Sequence, residues 1–247
     1  MKLISRKNDL NLELQLCFEA LDTNGYKPFL TEVYQRLLLT KVKFPLLEYC
    51  AMDIFKRLDE NKHIEFCSDI AKFNTIGGNV LIGIILQRWL SIDFIQAMNK
   101  AAECIQKGKE WYVADIIGER VFGIALLQYQ TEALDFLYQL SNNASPFVVR
   151  SIGPGAHYAI KKGLPVKETE ELFKLLLSLA NAKDGEIKRG IGWAAKTTAK
   201  FHPQIILKFR SHIDDPEKTG AWFRTKVRIG LERNAYAKGN RIKDHIK

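Results

Sequence analysis

What this sequence lacks narrows its function before any motif is read. Its four cysteines, Cys17, Cys50, Cys67 and Cys104, lie far apart, with no C-x-x-C pair and no histidine at ligand spacing. That argues against a zinc site or a disulfide framework and leaves buried thiols in a reducing compartment. No run of about 18 apolar residues is present and no basic, apolar and small-residue leader opens the chain, so a cytoplasmic protein without a membrane partner is expected. Period-two alternation is missing too, which excludes a β-sandwich or barrel. The glycine-rich stretch Gly77-Gly-Asn-Val-Leu-Ile-Gly83 has no Gly-Lys-Ser/Thr ending, so no nucleotide cofactor is expected there.

What is present is helical. Apolar residues recur every three or four positions in "LNLELQLCFEALDTN", "FLTEVYQRLLLTKV", "LLEYCAMDIFKRLDE", "ALDFLYQLSNN" and "TEELFKLLLSLANA", the stripe of an amphipathic helix. Breakers separate these stripes at Asn24-Gly25, Lys27-Pro28, Gly77-Gly78, Gly108, Asn142-Asn143, Gly163-Leu164-Pro165 and Asp184-Gly185. From about residue 92 the helices pair, with second helices beginning near Asp115, Arg150 and Lys188, a spacing of roughly 35 to 40 residues that suits a HEAT-like solenoid. The expectation is an all-α helical-repeat chain, residues 1–247 forming one curved domain, with the second helices lining one surface. Length alone, 247 residues, suffices for a core without staples.

Charge points to an anionic partner. Lysine and arginine number 37 against 28 acidic residues, a formal net charge of +9, which favours nucleic acid. The segment 220–247 concentrates the excess: Arg224, Lys226, Arg228, Arg233, Lys238, Arg241, Lys243 and Lys247 face only Glu232 and Asp244. A solvated helix and a phosphate-contacting end of the array are both open readings of that segment.

Two spacings carry the chemistry. In "KEWYVADIIGERVFG", Trp111 and Asp115 stand four residues apart, so on a helix the ring and the carboxylate share a face. In "EIKRGIGWAAKTTAKFHP", Trp193 sits among Gly190, Gly192, Ala194 and Ala195, which leave it few bulky neighbours. Arg150 opens the helix between them. Each residue alone has a structural reading as core, cap or surface charge; their common order favours one site. His157 and His202 have no partner in sequence and read as structural histidines.

The runs Trp111-Tyr-Val-Ala-Asp115, Phe147-Val-Val-Arg150, Ile187-Lys-Arg-Gly-Ile-Gly-Trp193 and Lys200-Phe-His-Pro203 together resemble the DNA alkylation repair family, AlkD-like HEAT-repeat DNA glycosylases, over about residues 85 to 215. The resemblance implies an enzyme that removes cationic alkylated purines from duplex DNA and needs neither metal nor organic cofactor. It places Trp111 and Trp193 in a DNA-facing cleft, Asp115 beside the scissile sugar and Arg150 on backbone phosphate. Lys188, Arg189, Lys196, Arg224, Lys226 and Arg228 are the further candidates for DNA contact, in a monomer. Some relatives lack glycosylase activity and bind branched or structured DNA, so a non-catalytic DNA binder is the alternative, and a protein-binding scaffold the third reading. One departure stands out: Gly153-Pro154-Gly155 follows Arg150 and is expected to kink or break that helix and to aim Arg150 away from the groove.

Overall fold

A computed structural model describes residues 3–244, with side chains described through residue 234. Lys238, Arg241, Lys243 and Lys247 of the basic segment therefore lie outside the described side chains. Fifteen α-helices carry the described chain, and the only strands among the described residues are two-residue pieces, Leu3–Ile4 and Lys41–Val42, paired in parallel. No described helix is long and apolar enough to cross a membrane. The contacts divide the chain into two compact units, residues 1–108 and 109–247.

The first unit holds α1 (Lys7–Asn24), α2 (Tyr26–Glu32), α3 (Phe44–Arg57), α4 (His63–Lys72), α5 (Ile76–Trp89) and α6 (Phe94–Gly108). Helix α5 reads "IGGNVLIGIILQRW", apolar all round, and a helix without a polar face is stable only at the centre of its neighbours. It packs against α3, α4 and α6. Thr75 caps it, its hydroxyl oxygen accepting from the Gly78 amide at 3.1 Å, so the glycine-rich stretch is the first turn of a buried helix. The four cysteines are buried and free. Burial pushes the Cys17 and Cys50 thiols up to about 12 and Cys104 to about 11, which leaves them protonated and unreactive at neutral pH.

The second unit repeats one arrangement. A first row runs through α7 (Trp111–Ile117) and α8 (Gly123–Gln128), joined by a π-helical turn over Gly118–Phe122, then α10 (Pro146–Lys161), α12 (Gly185–Phe201) and α15 (Ala221–Asp244). Between them in sequence lie α9 (Gln130–Leu140), α11 (Val166–Ser178), α13 (Pro203–Lys208) and α14 (Arg210–Asp214). The first-row helices pack side by side in parallel and in constant register: Asp115 meets Arg150 35 residues on, Arg150 meets Glu186 36 on, and Lys200 meets Asn234 34 on. This is an all-α helical-repeat fold. Phe173 on α11 clusters with Phe209 and with Phe223 of α15; Phe173 and Phe223 are fully buried, and burying each such ring stabilises the unit by about 1.5–3 kcal/mol.

The expected break at Gly153-Pro154-Gly155 does not occur, because α10 runs unbroken from Pro146 to Lys161 with Pro154 inside it. Proline deletes the amide that would have bonded to the Arg150 carbonyl. That carbonyl instead faces Gly190 of α12, where a Cβ would sit 2.2 Å from the oxygen. A Cβ on Gly153 would likewise lie 1.9 Å from the Gly190 carbonyl oxygen. Only two glycines allow this approach, in which Cα–H groups point at carbonyl oxygens across the helix pair. Close backbone packing thus compensates the lost hydrogen bond, and Arg150 keeps its helical position.

Candidate functional site

The site grows from the first turn of α7. Glu110 enters in an extended conformation after Lys109 at φ +51°, which starts the helix on Trp111 and leaves that indole 55% exposed. Its ring meets Tyr112 edge-on at 5.8 Å. One turn later Asp115 points along the same face toward α10.

Arg150 reaches across from α10 and is 6% exposed. Its Nε donates to Asp115 Oδ1 at 2.9 Å and its Nη2 to Oδ2 at 2.8 Å, a fork matched to both carboxylate oxygens. Nη1 donates to Glu186 Oε2 at 2.7 Å, and the guanidinium carbon lies 5.9 Å from the Trp111 ring centroid. Burial alone would lower the Arg150 pKa, but bonds to Asp115 and Glu186 outweigh it and hold the group above its usual value. Glu186 is set by its own helix start: Asp184 caps α12 by accepting from the Glu186 and Ile187 amides at 2.7 and 3.1 Å, so the carboxylate occupies the first turn, where the helix dipole favours it. Its second oxygen takes Arg189, whose side chain is 68% exposed. The buried part of the cluster therefore holds two carboxylates against one guanidinium, beside an open aromatic face.

Seven residues further along both α10 and α12, two helical turns or about 10 Å, lies a second cluster. His157 stacks on Trp193, centroids 4.4 Å apart at 28°. The Thr197 hydroxyl donates to the Trp193 carbonyl at 3.0 Å and lies 2.8 Å from His157 Nδ1. With its single proton already committed, Thr197 accepts from Nδ1–H, and His157 is left with a bare Nε2. A cavity of about 170 Å³ opens here, walled by His157, Lys161, Trp193, Lys196, Thr197, Lys200, Phe201 and Arg233. Burial pushes the His157 pKa down to about 4, helped by Lys161, Lys196 and Lys200. Burial lowers Lys196 as well, with Arg233 and Lys226 adding repulsion.

The structure brings together Trp111, Asp115 and Arg150 in one cluster and Trp193, Lys196 and Lys226 around the other. Arg150, expected on phosphate, is buried between carboxylates. Lys188 lies half-buried on the first turn of α12. Arg224 and Arg228 are on another face of α15, lining a groove with Ile206, Leu207 and Arg210; Arg224 donates to the Thr219 carbonyl and Arg228 pairs with Glu232. Sequence reasoning missed Glu186, His157, Lys161 and Lys200. For Glu186 the signal was the repeat itself, since it follows Arg150 by 36 residues where Arg150 follows Asp115 by 35. Among the described residues no group of three or more His, Cys, Asp or Glu side chains is placed to hold a metal ion.

No curated protein and no solved structure matches this chain. A family model described as DNA alkylation repair enzyme matches residues 41–219, which begins well before the motifs, takes in Trp111, Asp115, Arg150, Glu186, His157 and Trp193, and spans well over half of the sequence. The chain therefore belongs to the DNA alkylation repair enzyme family.

Proposed function

We propose that the protein is a DNA glycosylase that excises cationic alkylpurines of the 3-methyladenine and 7-methylguanine type from duplex DNA by hydrolysis. The observation that carries this reading is the pairing of an exposed Trp111 face with a cluster in which two carboxylates, Asp115 and Glu186, oppose a single buried guanidinium. An N3- or N7-alkylated purine is a good leaving group because breaking its glycosidic bond returns the bonding pair to a positively charged ring. Catalysis then rests on stabilising the oxocarbenium-like sugar left behind, which a preorganised carboxylate does. Asp115 supplies that charge, Arg150 holds its orientation, and Trp111 presents an electron-rich face to the cationic centre, worth about 0.5–2 kcal/mol. Water adds to C1′ and its proton passes to solvent.

A second reading, a non-catalytic binder of branched or structured DNA, is favoured by the occupation of both Asp115 oxygens by Arg150. Duplex DNA carrying 3-methyladenine or 7-methylguanine, incubated with the protein and assayed for free base, separates the two. Release above the spontaneous rate is the expected result; binding without release assigns the second reading.

A further inference from the structure

We propose that the cavity beside Trp193 is a phosphomonoester site that receives the terminal phosphate of a DNA strand, at an end or a nick. This rests on the DNA reading above but concerns a different cluster from the one holding Asp115. Four cations, Lys161, Lys196, Lys200 and Arg233, wall a space of about 170 Å³. None of them forms an ion pair with a carboxylate among the described residues, unlike Arg36, Arg57, Lys100 or Arg150, each of which does. Cations held together by the fold without counter-charges call for an anion.

His157 decides which anion. Its Nδ1–H is committed to Thr197, so the remaining nitrogen offers a lone pair with no hydrogen-bond donor from the described residues. The surrounding lysines oppose its protonation. A phosphodiester is acceptor-only and puts a lone pair against a lone pair. A phosphomonoester has a second pKa near 6, so near neutral pH it retains a proton part of the time and gives that O–H to Nε2 while its other oxygens take lysine and arginine donors. With that proton off, it instead brings two negative charges to the four cations where a diester brings one. Strand continuity argues the same way, since a terminal phosphate enters a recess walled by α10, α12 and α15 with chain on one side only.

The experiment compares duplex DNA carrying an internal nick with a 5′-phosphate, a 3′-phosphate or hydroxyls at the nick, by fluorescence anisotropy at fixed ionic strength, with nucleoside 5′-monophosphate and inorganic phosphate as separate competitors. One phosphate-bearing nick is expected to bind about ten-fold tighter than the hydroxyl nick, the scale of one charge-assisted hydrogen bond with its added charge. His157→Phe, which keeps a ring on Trp193 but removes both nitrogens, should erase that difference while leaving the hydroxyl nick's affinity unchanged. Lys161→Gln, an exposed substitution that does not threaten the fold, should reduce it. Equal binding of all three nicks, or a preference that survives both substitutions, overturns the site. Competition by mononucleotide or phosphate without any nick preference overturns the strand end as its source. If no duplex binds even at low salt, the DNA reading itself fails, and the competitors, followed by calorimetry, still report whether the cavity takes a phosphomonoester.

Discussion

Arg150 holds both oxygens of Asp115 through two parallel hydrogen bonds of 2.9 and 2.8 Å, from a helix whose first residue lies 35 positions downstream of Trp111. The carboxylate that would face the reacting sugar is thereby fixed in direction by a planar, permanently charged neighbour. Asp115→Asn keeps the shape and one acceptor oxygen but removes the charge. Base release should fall by about 10²–10³-fold, the effect of losing one preorganised electrostatic contact, with DNA affinity retained. Single-turnover release measured beside a thermal melt checks this, and unchanged release from folded Asp115→Asn protein refutes the role.

Arg150 is predicted to matter for folding as much as for activity. Arg150→Ala leaves Asp115 and Glu186 facing each other without their shared cation, and breaking a buried pair costs about 3–5 kcal/mol. Arg150→Lys restores charge but not the planar fork, so it should recover only part of the loss. Urea unfolding of both variants tests this order; wild-type stability for Arg150→Ala would show that the cluster contributes nothing.

The contact between α10 and α12 gives a steric prediction. Gly153→Ala drives a methyl into the Gly190 carbonyl and Gly190→Ala drives one into the Arg150 carbonyl; each should destabilise by at least the 1–3 kcal/mol of an overpacked core. At Gly185 a Cβ meets only the Arg189 Nη1 atom at 3.9 Å, so Gly185→Ala should leave the melting temperature within a degree or two. A tolerated alanine at both Gly153 and Gly190 would contradict this packing.

His157 predicts a pH dependence whose sign follows from its lowered pKa. Between its ordinary value near 6.5 and the native value of about 4, the unfolded chain takes up a proton that the folded chain refuses. Stability therefore falls as pH drops through that window and levels off below it, by a total of about 3–4 kcal/mol at most. The groups responsible are burial, Lys161 on the same helix, and Lys196 and Lys200 on α12. His157→Phe should flatten this part of the profile relative to the parent; superimposable slopes in melts at pH 7 and pH 4.5 would exclude it.

Salt dependence separates the basic faces. DNA affinity should fall steeply with ionic strength through counterion release, and the logarithmic slope should shrink by about one for each phosphate contact removed. Lys196→Ala and Lys226→Ala are predicted to reduce it. Arg224→Ala and Arg228→Ala, on the face turned toward Ile206 and Leu207 and tied to Thr219 and Glu232, should not. A reversed pattern would place the DNA on the other side of α15.

Helix content, the interval of the repeat and the spacing of Trp111 to Asp115 were legible in the chain because each depends on local periodicity: an apolar stripe every 3.6 residues, breakers between stripes, two side chains one turn apart. The fate of α10 was not legible. Gly153-Pro154-Gly155 reads locally as a break, and only the backbone of Gly190, brought in from 37 positions away, turns the same residues into a packing surface. The partnership of Arg150 with Asp115 and Glu186, and of His157 with Trp193 and Thr197, was likewise a tertiary decision. Composition signals a surplus of cations, but the register in which parallel helices align determines which cations meet carboxylates and which are left to surround a cavity.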